Sequence, residues 1–130
     1  MIGNPDLPHS WTDVLDMARA LVAVADRPDA WGRVWHAPTN PPRSQRQALA
    51  DVLASGGHPG VKVRGIPAPV LRGLGLVNPM MRELAELSYQ WTRPYVLDAA
   101  RSQQALGLDP TPWDEVCRRT LAGNLAPASA

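Results

Sequence analysis

Phenylalanine is absent from the 130 residues, tyrosine occurs twice, and lysine and cysteine occur once each. A lone cysteine, Cys117, cannot close an internal disulfide, so a reducing, cytoplasmic setting is expected and Cys117 reads as a core residue. No apolar run reaches the ~20 residues of a membrane span, and the N-terminus lacks a basic-then-apolar signal region, so no membrane partner is expected. Neither charge sign forms a block. Thirteen basic and twelve acidic residues leave a net charge of +1, spread along the chain, which excludes the basic stripe of a nucleic-acid binder. Three scattered histidines and one cysteine, none in an H-x-x-x-H or C-x-x-C pattern, give no metal-ligand set.

What is present suits a globular domain with one ordinary core. Apolar residues make up 45% and charged residues 19%, and a chain of this length buries about two-thirds of its unfolded surface. Residues 1–125 read as the domain. The tail 126–130 has nothing large to bury. The excess of arginine over lysine, with abundant alanine and proline, is read as a GC-rich bacterial coding bias.

The pattern alternates helices with short strands, an α/β (α+β) arrangement of three or four strands and about five helices. Residues 7–12 form an extended entry. Asp13 caps a helix with Asp16 as a capping-box-like partner, and Val14, Met17, Ala18, Leu21, Val22 and Ala25 fall on one face expected to be buried. Pro28 stops that helix, and residues 32–37 read as a strand. Ser44 caps a second helix that buries Ala48, Leu49, Val52 and Leu53. Residues 61–64 alternate with period two, the signature of a half-buried strand. A glycine-weakened helix spans 69–77, a clear helix spans 79–91 with Met80, Leu84, Leu87 and Trp91 in a stripe, and 95–97 is a short strand. Asp98 caps a helix ending at Gly107. Thr111 caps the last helix, with Pro112 at its first position and Trp113, Val116, Cys117, Thr120 and Leu121 on its apolar face.

Several segments together resemble a known family. His9-Ser10-Trp11-Thr12 leading into Asp16-Met17-Ala18-Arg19-Ala20 is similar to the extended run and D-x-A-x-A helix of extended short-chain dehydrogenases of the nucleotide-sugar epimerase/dehydratase type. Gly32-Arg33-Val34-Trp35-His36 resembles that family's later strand. Met81-Arg82-Glu83-Leu84, Tyr89-Gln90-Trp91, Arg93 through Asp98, and Leu106 through Pro112 resemble its closing segments. The resemblance implies the substrate-binding half of such an enzyme. The other half is missing: no G-x-x-G-x-x-G turn is present to seat a dinucleotide, and Lys62 has His58 where the Y-x-x-x-K pair needs tyrosine. No cofactor is therefore expected, and the chain by itself should not perform hydride chemistry.

In the family the substrate lies in the cleft between the halves, and the matching positions are His9, Ser10, Trp11, Met80, Met81 and Tyr89. Ser10, Trp11, Met80 and Met81 are candidate substrate-binding residues, and their types suit a hydrophobic small-molecule ligand. His9, which titrates near neutrality, with Asp13 close in sequence, and Tyr89 are the candidate proton-transfer groups. Each also has an ordinary structural role open to it: His9 as a hydrogen-bonding residue, Asp13 and Asp16 as caps, Glu83 and Glu86 as a solvated helix face, and His36 and His58 as strand-end and turn residues. Two functions remain open. One is a substrate-binding or complementing module for a reductase, epimerase or dehydratase. The other is a cofactor-independent cyclase, isomerase or dehydratase acting on a hydrophobic metabolite. A surface shaped to meet a missing half implies either a partner chain carrying the dinucleotide-binding half or a homodimer, with the interface expected around Met80 to Trp91.

Overall fold

Side-chain caps set where three of the helices begin. The structure is a computed structural model that describes residues 1, 3–58, 60 and 62–125. Helix α1 (Val14–Ala25) opens at Asp13, whose carboxylate accepts from the Leu15 N–H at 2.8 Å. Helix α2 (Gln45–Ser55) opens with a full capping box: Ser44 Oγ accepts from the Gln47 N–H, and Gln47 Oε1 accepts from the Ser44 N–H. Helix α3 (Ala68–Leu74) follows Pro67, and α4 (Pro79–Glu86) is capped by Asn78 before the chain tightens into a 3-10 turn at Leu87–Trp91. The Asp98 carboxylate accepts from Ala100 at the start of α5 (Ala100–Leu106), which Gly107 ends in the left-handed conformation. Helix α6 (Trp113–Leu125) is the last.

These six helices accompany one two-stranded antiparallel sheet, so the described residues form a helix-rich α+β fold. Strand β1 (Pro8–His9) pairs with β2 (Arg43–Ser44), and His9 makes a single parallel bridge to Tyr95. Among the described residues these two replace the three or four strands expected from periodicity: β1 falls within the expected extended entry, whereas β2 lies where only a loop and the Ser44 cap were expected. Residues 32–37 are not a strand: Val34 is exposed, the Trp35 indole donates to Ala30 O, and the His36 N–H donates to Ser102 Oγ. Residues 62–64 form no ladder either, because Arg46 donates to Val63 O and the N-terminal ammonium donates to Arg64 O; Val61 lies outside the described residues. Residues 95–97 keep only the Tyr95 bridge, and the Leu97 N–H goes to Ser10 Oγ. An alternating run is a strand only where a neighbouring backbone accepts its ladder, and here side chains and the N-terminus took that place. The expected tail 126–130 also lies outside the described residues.

Helices pack α2 on α6, α3 on α4, and α1 on α5. Their buried centre is small: Ala20, Ala48, Leu71, Leu106 and Cys117 are enclosed, while many larger apolar residues are not. Gly3 ties the N-terminal segment to the α4 side. A Cβ there would strike the Trp91 carbonyl, and its φ of 70° is one that other residues rarely adopt.

Two features of α1 and one of α6 differ from the expectation. Asp16 does not reach back to complete a capping box. It is buried, and its carboxylate accepts from the Thr111 N–H at 2.7 Å, from the Thr111 hydroxyl and from Arg19. Thr111 is thereby committed to Asp16, and α6 begins at Trp113, with Pro112 O accepting from Glu115 and Val116. The apolar stripe of α1 also faces outward: Val14 is 79% exposed, Leu21 67% and Val22 61%. Its inward side carries Asp16 and Ala20, one turn apart. Periodicity shows that a helix has an apolar face, but the direction of that face depends on its neighbours.

Cys117 is buried on α6, and burial, reinforced by the Asp51 charge, pushes its thiol above the ordinary value. A thiol-reactive disulfide reagent at pH 8 should label native protein about a hundredfold more slowly than urea-unfolded protein. Equal rates in the two states would place Cys117 at the surface.

Candidate functional site

The first candidate is an open apolar cleft of about 660 Å³ between the start of α1, α2 and α6. Trp11, Leu15, Leu49, Val52, Trp113 and Val116 wall it. Hydrogen bonds fix the two indoles among these side chains. The Trp11 indole donates to Arg43 O at 2.9 Å, which pins the entry segment to β2, and the Trp113 indole donates to Asp51 on α2 at 2.7 Å. Arg43 lies 5.0 Å from the Trp113 ring centroid and 3.6 Å from Asp51, a cation held by a carboxylate and an aromatic face.

The charged side chains of this cleft, Asp13 and Arg119, are at its α1–α6 edge. Arg119 donates to Asp13 at 3.0 Å and approaches Glu115 at 3.7 Å, while its buried Nε finds no acceptor among the described residues. Apolar walls with a few convergent polar groups are the usual make-up of a small-molecule site.

A second feature is an aromatic box. The His9 ring stacks on Trp91 at 4.5 Å and on Tyr95 at 5.0 Å, and meets Trp11 at a tilt at 5.1 Å. Burial among these rings pulls the His9 imidazole below its ordinary value, which favours its neutral form. Ser10 fixes the box: its N–H donates to Tyr95 O at 2.8 Å and its Oγ accepts from Leu97.

A third feature is a second cleft of about 780 Å³ between α3, α4 and the turn that follows, lined by Arg72, Leu76, Arg82, Glu86, Tyr89 and Arg93 among others. It is more charged than the first.

The expected site residues are thus dispersed. His9, Ser10 and Trp11 share one extended entry, and Trp11 links the aromatic box to the apolar cleft. Asp13 sits in that cleft but serves Leu15 as a cap and Arg119 as an ion-pair partner, with no hydrogen bond to His9 among the described residues. Tyr89 is 61% exposed in the second cleft. Met80 and Met81 lie on α4 and line neither cleft, Met80 being exposed and Met81 half-buried. Of the α4 carboxylates, Glu86 faces the second cleft and Glu83 is exposed. His36 and His58 are exposed and outside all three features. Among the described residues no three or more His, Cys, Asp or Glu side chains come together as a metal site, and no helix is long and apolar enough to cross a membrane.

Arg119 and the arginines of the second cleft were not singled out by sequence. Their spacing carries no period, and only the α2–α6 and α3–α4 contacts make neighbours of residues so far apart in the chain. No family model, no curated protein and no solved structure matches this chain.

Proposed function

We propose that the chain is a small-molecule-binding module of the kind that forms the substrate-binding half of an extended short-chain dehydrogenase, and that it completes a site with a dinucleotide-binding half outside these 130 residues. One observation carries this reading. The apolar cleft shares Val14 and Leu15 with the outward face of α1, along which Met17, Leu21 and Val22 are exposed as well. Contiguous apolar surface beyond a few hundred Å² marks a place where something docks.

The reading assigns Trp11 and its neighbours to a hydrophobic ligand, with Arg119 as the polar handle. It assigns the α1 face to the covering half, or to a second copy when that half is absent. Exposed apolar side chains on the Met80 to Trp91 stretch, namely Met80, Leu87 and Tyr89, offer a further area for association. Proton transfer by His9, Asp13 and Tyr89 acting together draws no support from the geometry, since the three occupy separate surroundings.

Parallel titrations test the proposal. NAD and NADP, oxidised and reduced, should not bind more tightly than about 100 µM, roughly −5.5 kcal/mol, by calorimetry. Nile red, a neutral apolar dye, should bind, and Trp11→Ala should weaken it by about 1–3 kcal/mol as an aromatic wall is lost. Tight dinucleotide binding, or dye affinity that Trp11→Ala leaves untouched, overturns it.

A further inference from the structure

Six of the twelve arginines hold a carboxylate: Arg19, Arg27, Arg43, Arg46, Arg118 and Arg119. Among the described residues the other six hold none, and three of those six, Arg72, Arg82 and Arg93, line the single cleft between α3, α4 and the following turn. Cations lining one concave wall raise the positive potential there, which favours an anion in the cleft.

The cleft's own acid does not neutralise it. Glu86 stands one helical turn beyond Arg82 on α4 and lines the same cleft, yet the two make no ion pair within 4 Å. That order, cation before acid, is the weaker one on a helix. The nearby hydroxyls are already donating inward: Ser88 to Ala85 O at 2.6 Å and Thr92 to Tyr89 O at 3.2 Å. The guanidinium groups and the exposed Tyr89 side chain are what remain to meet a ligand.

Backbone packing produces the convergence. Gly75 lies against α4 so closely that a Cβ would come 3.0 Å from Arg82 Cα, which brings the end of α3, with Arg72, beside Arg82. Three guanidiniums against one carboxylate leave a local charge of +2. A phosphate monoester carries about −1.5 to −2 at neutral pH, which matches that surplus, whereas a single carboxylate leaves half of it. Guanidinium forks also fit phosphate oxygens in bidentate geometry. The Tyr89 ring, Leu76 and Ala85 supply an apolar flank for the rest of the ligand.

We infer that Arg72, Arg82 and Arg93 form a binding site for the phosphate of a small phosphate monoester with an apolar or aromatic body. This rests on, and sharpens, the reading of the chain as a small-molecule-binding module. The probe is phenyl phosphate, titrated calorimetrically into the full chain at constant ionic strength, with benzoate and inorganic phosphate alongside. Phenyl phosphate should bind with a single site, and benzoate about tenfold or more weakly. Inorganic phosphate should fall between them.

Arg82→Gln with Arg93→Gln should weaken phenyl phosphate at least about tenfold. Arg82→Lys, which keeps the charge, should give a smaller loss, and Arg33→Gln with Arg101→Gln, unpaired arginines outside the cleft, should give none. The two double variants each remove two positive charges and Arg82→Lys removes none, and helix content by circular dichroism checks that the fold is intact. Equal affinity in the Arg82/Arg93 variant, or benzoate binding as tightly as phenyl phosphate, overturns the site. Loss of phenyl phosphate binding in native protein that still takes up Nile red would sink this inference alone; loss of both would sink the parent reading as well.

Discussion

Replacing Asp16 by alanine should lower the stability of this protein by about 3 kcal/mol, roughly 10 °C in Tm, the largest effect expected of any single polar substitution in it. Asp16 is fully buried and joins α1 to the segment before α6 by accepting from the Thr111 N–H, the Thr111 hydroxyl and Arg19. Removing the carboxylate strands both Thr111 donors where water reaches them poorly. Thr111→Val takes away only the hydroxyl and should cost about 1 kcal/mol. The double variant should lose less than the sum, because both changes remove the same bond.

The pH dependence supplies a second reading of the same group. Burial raises the Asp16 carboxyl, but hydrogen bonds from Thr111 and Arg19 outweigh it, so its pKa lies below the ordinary carboxylate value. A depressed folded-state pKa stabilises the fold above the unfolded-state value, near pH 4, and that contribution disappears as pH falls through the lower, folded-state value. Stability of the natural protein should therefore drop below about pH 4, and Asp16→Ala should flatten that acid limb. A variant that melts within 2 °C of the natural protein at pH 7, or keeps the full acid limb, would show that the Asp16–Thr111 link contributes little.

Leu71→Ala is the second large effect, about 3 kcal/mol, because Leu71 is only 2% exposed and a cavity replaces its side chain. Its consequence is local as well as global. Leu71 lies on α3 where that helix packs on α4, and this pair builds the arginine cleft. Amide exchange should rise first across α3 and α4, and phenyl phosphate affinity should fall although no arginine has been changed. Leu76→Ala is the control: Leu76 is 88% exposed, and its loss should stay within about 0.5 kcal/mol. If Leu71→Ala is no more destabilising than Leu76→Ala, the α3–α4 pair is not held by a packed contact and the cleft has no fixed wall.

The sequence by itself determined the local punctuation of this chain. Asp13, Ser44 and Gly107 act as helix ends where their types and spacings placed them, and Asp98, one residue before the cap position of α5, still accepts from the Ala100 N–H, since such contacts join backbone groups two or three residues away. It also indicated a mixed α+β domain and a surplus of apolar side chains. Tertiary structure alone decided the rest. Residues 32–37 and 62–64 have the composition of strands but no neighbouring ladder, and α1 has an apolar stripe that α5 leaves uncovered. The Asp16 carboxylate serves Thr111, ninety-five residues away, in place of its own helix end, and Arg72, Arg82 and Arg93 came to line one cleft only through the turn at Gly75 and the packing of α4. The physical reason is range: a cap is a contact between near neighbours in the chain, whereas a strand partner, a buried face and a charge cluster are chosen by whichever distant segment arrives beside them.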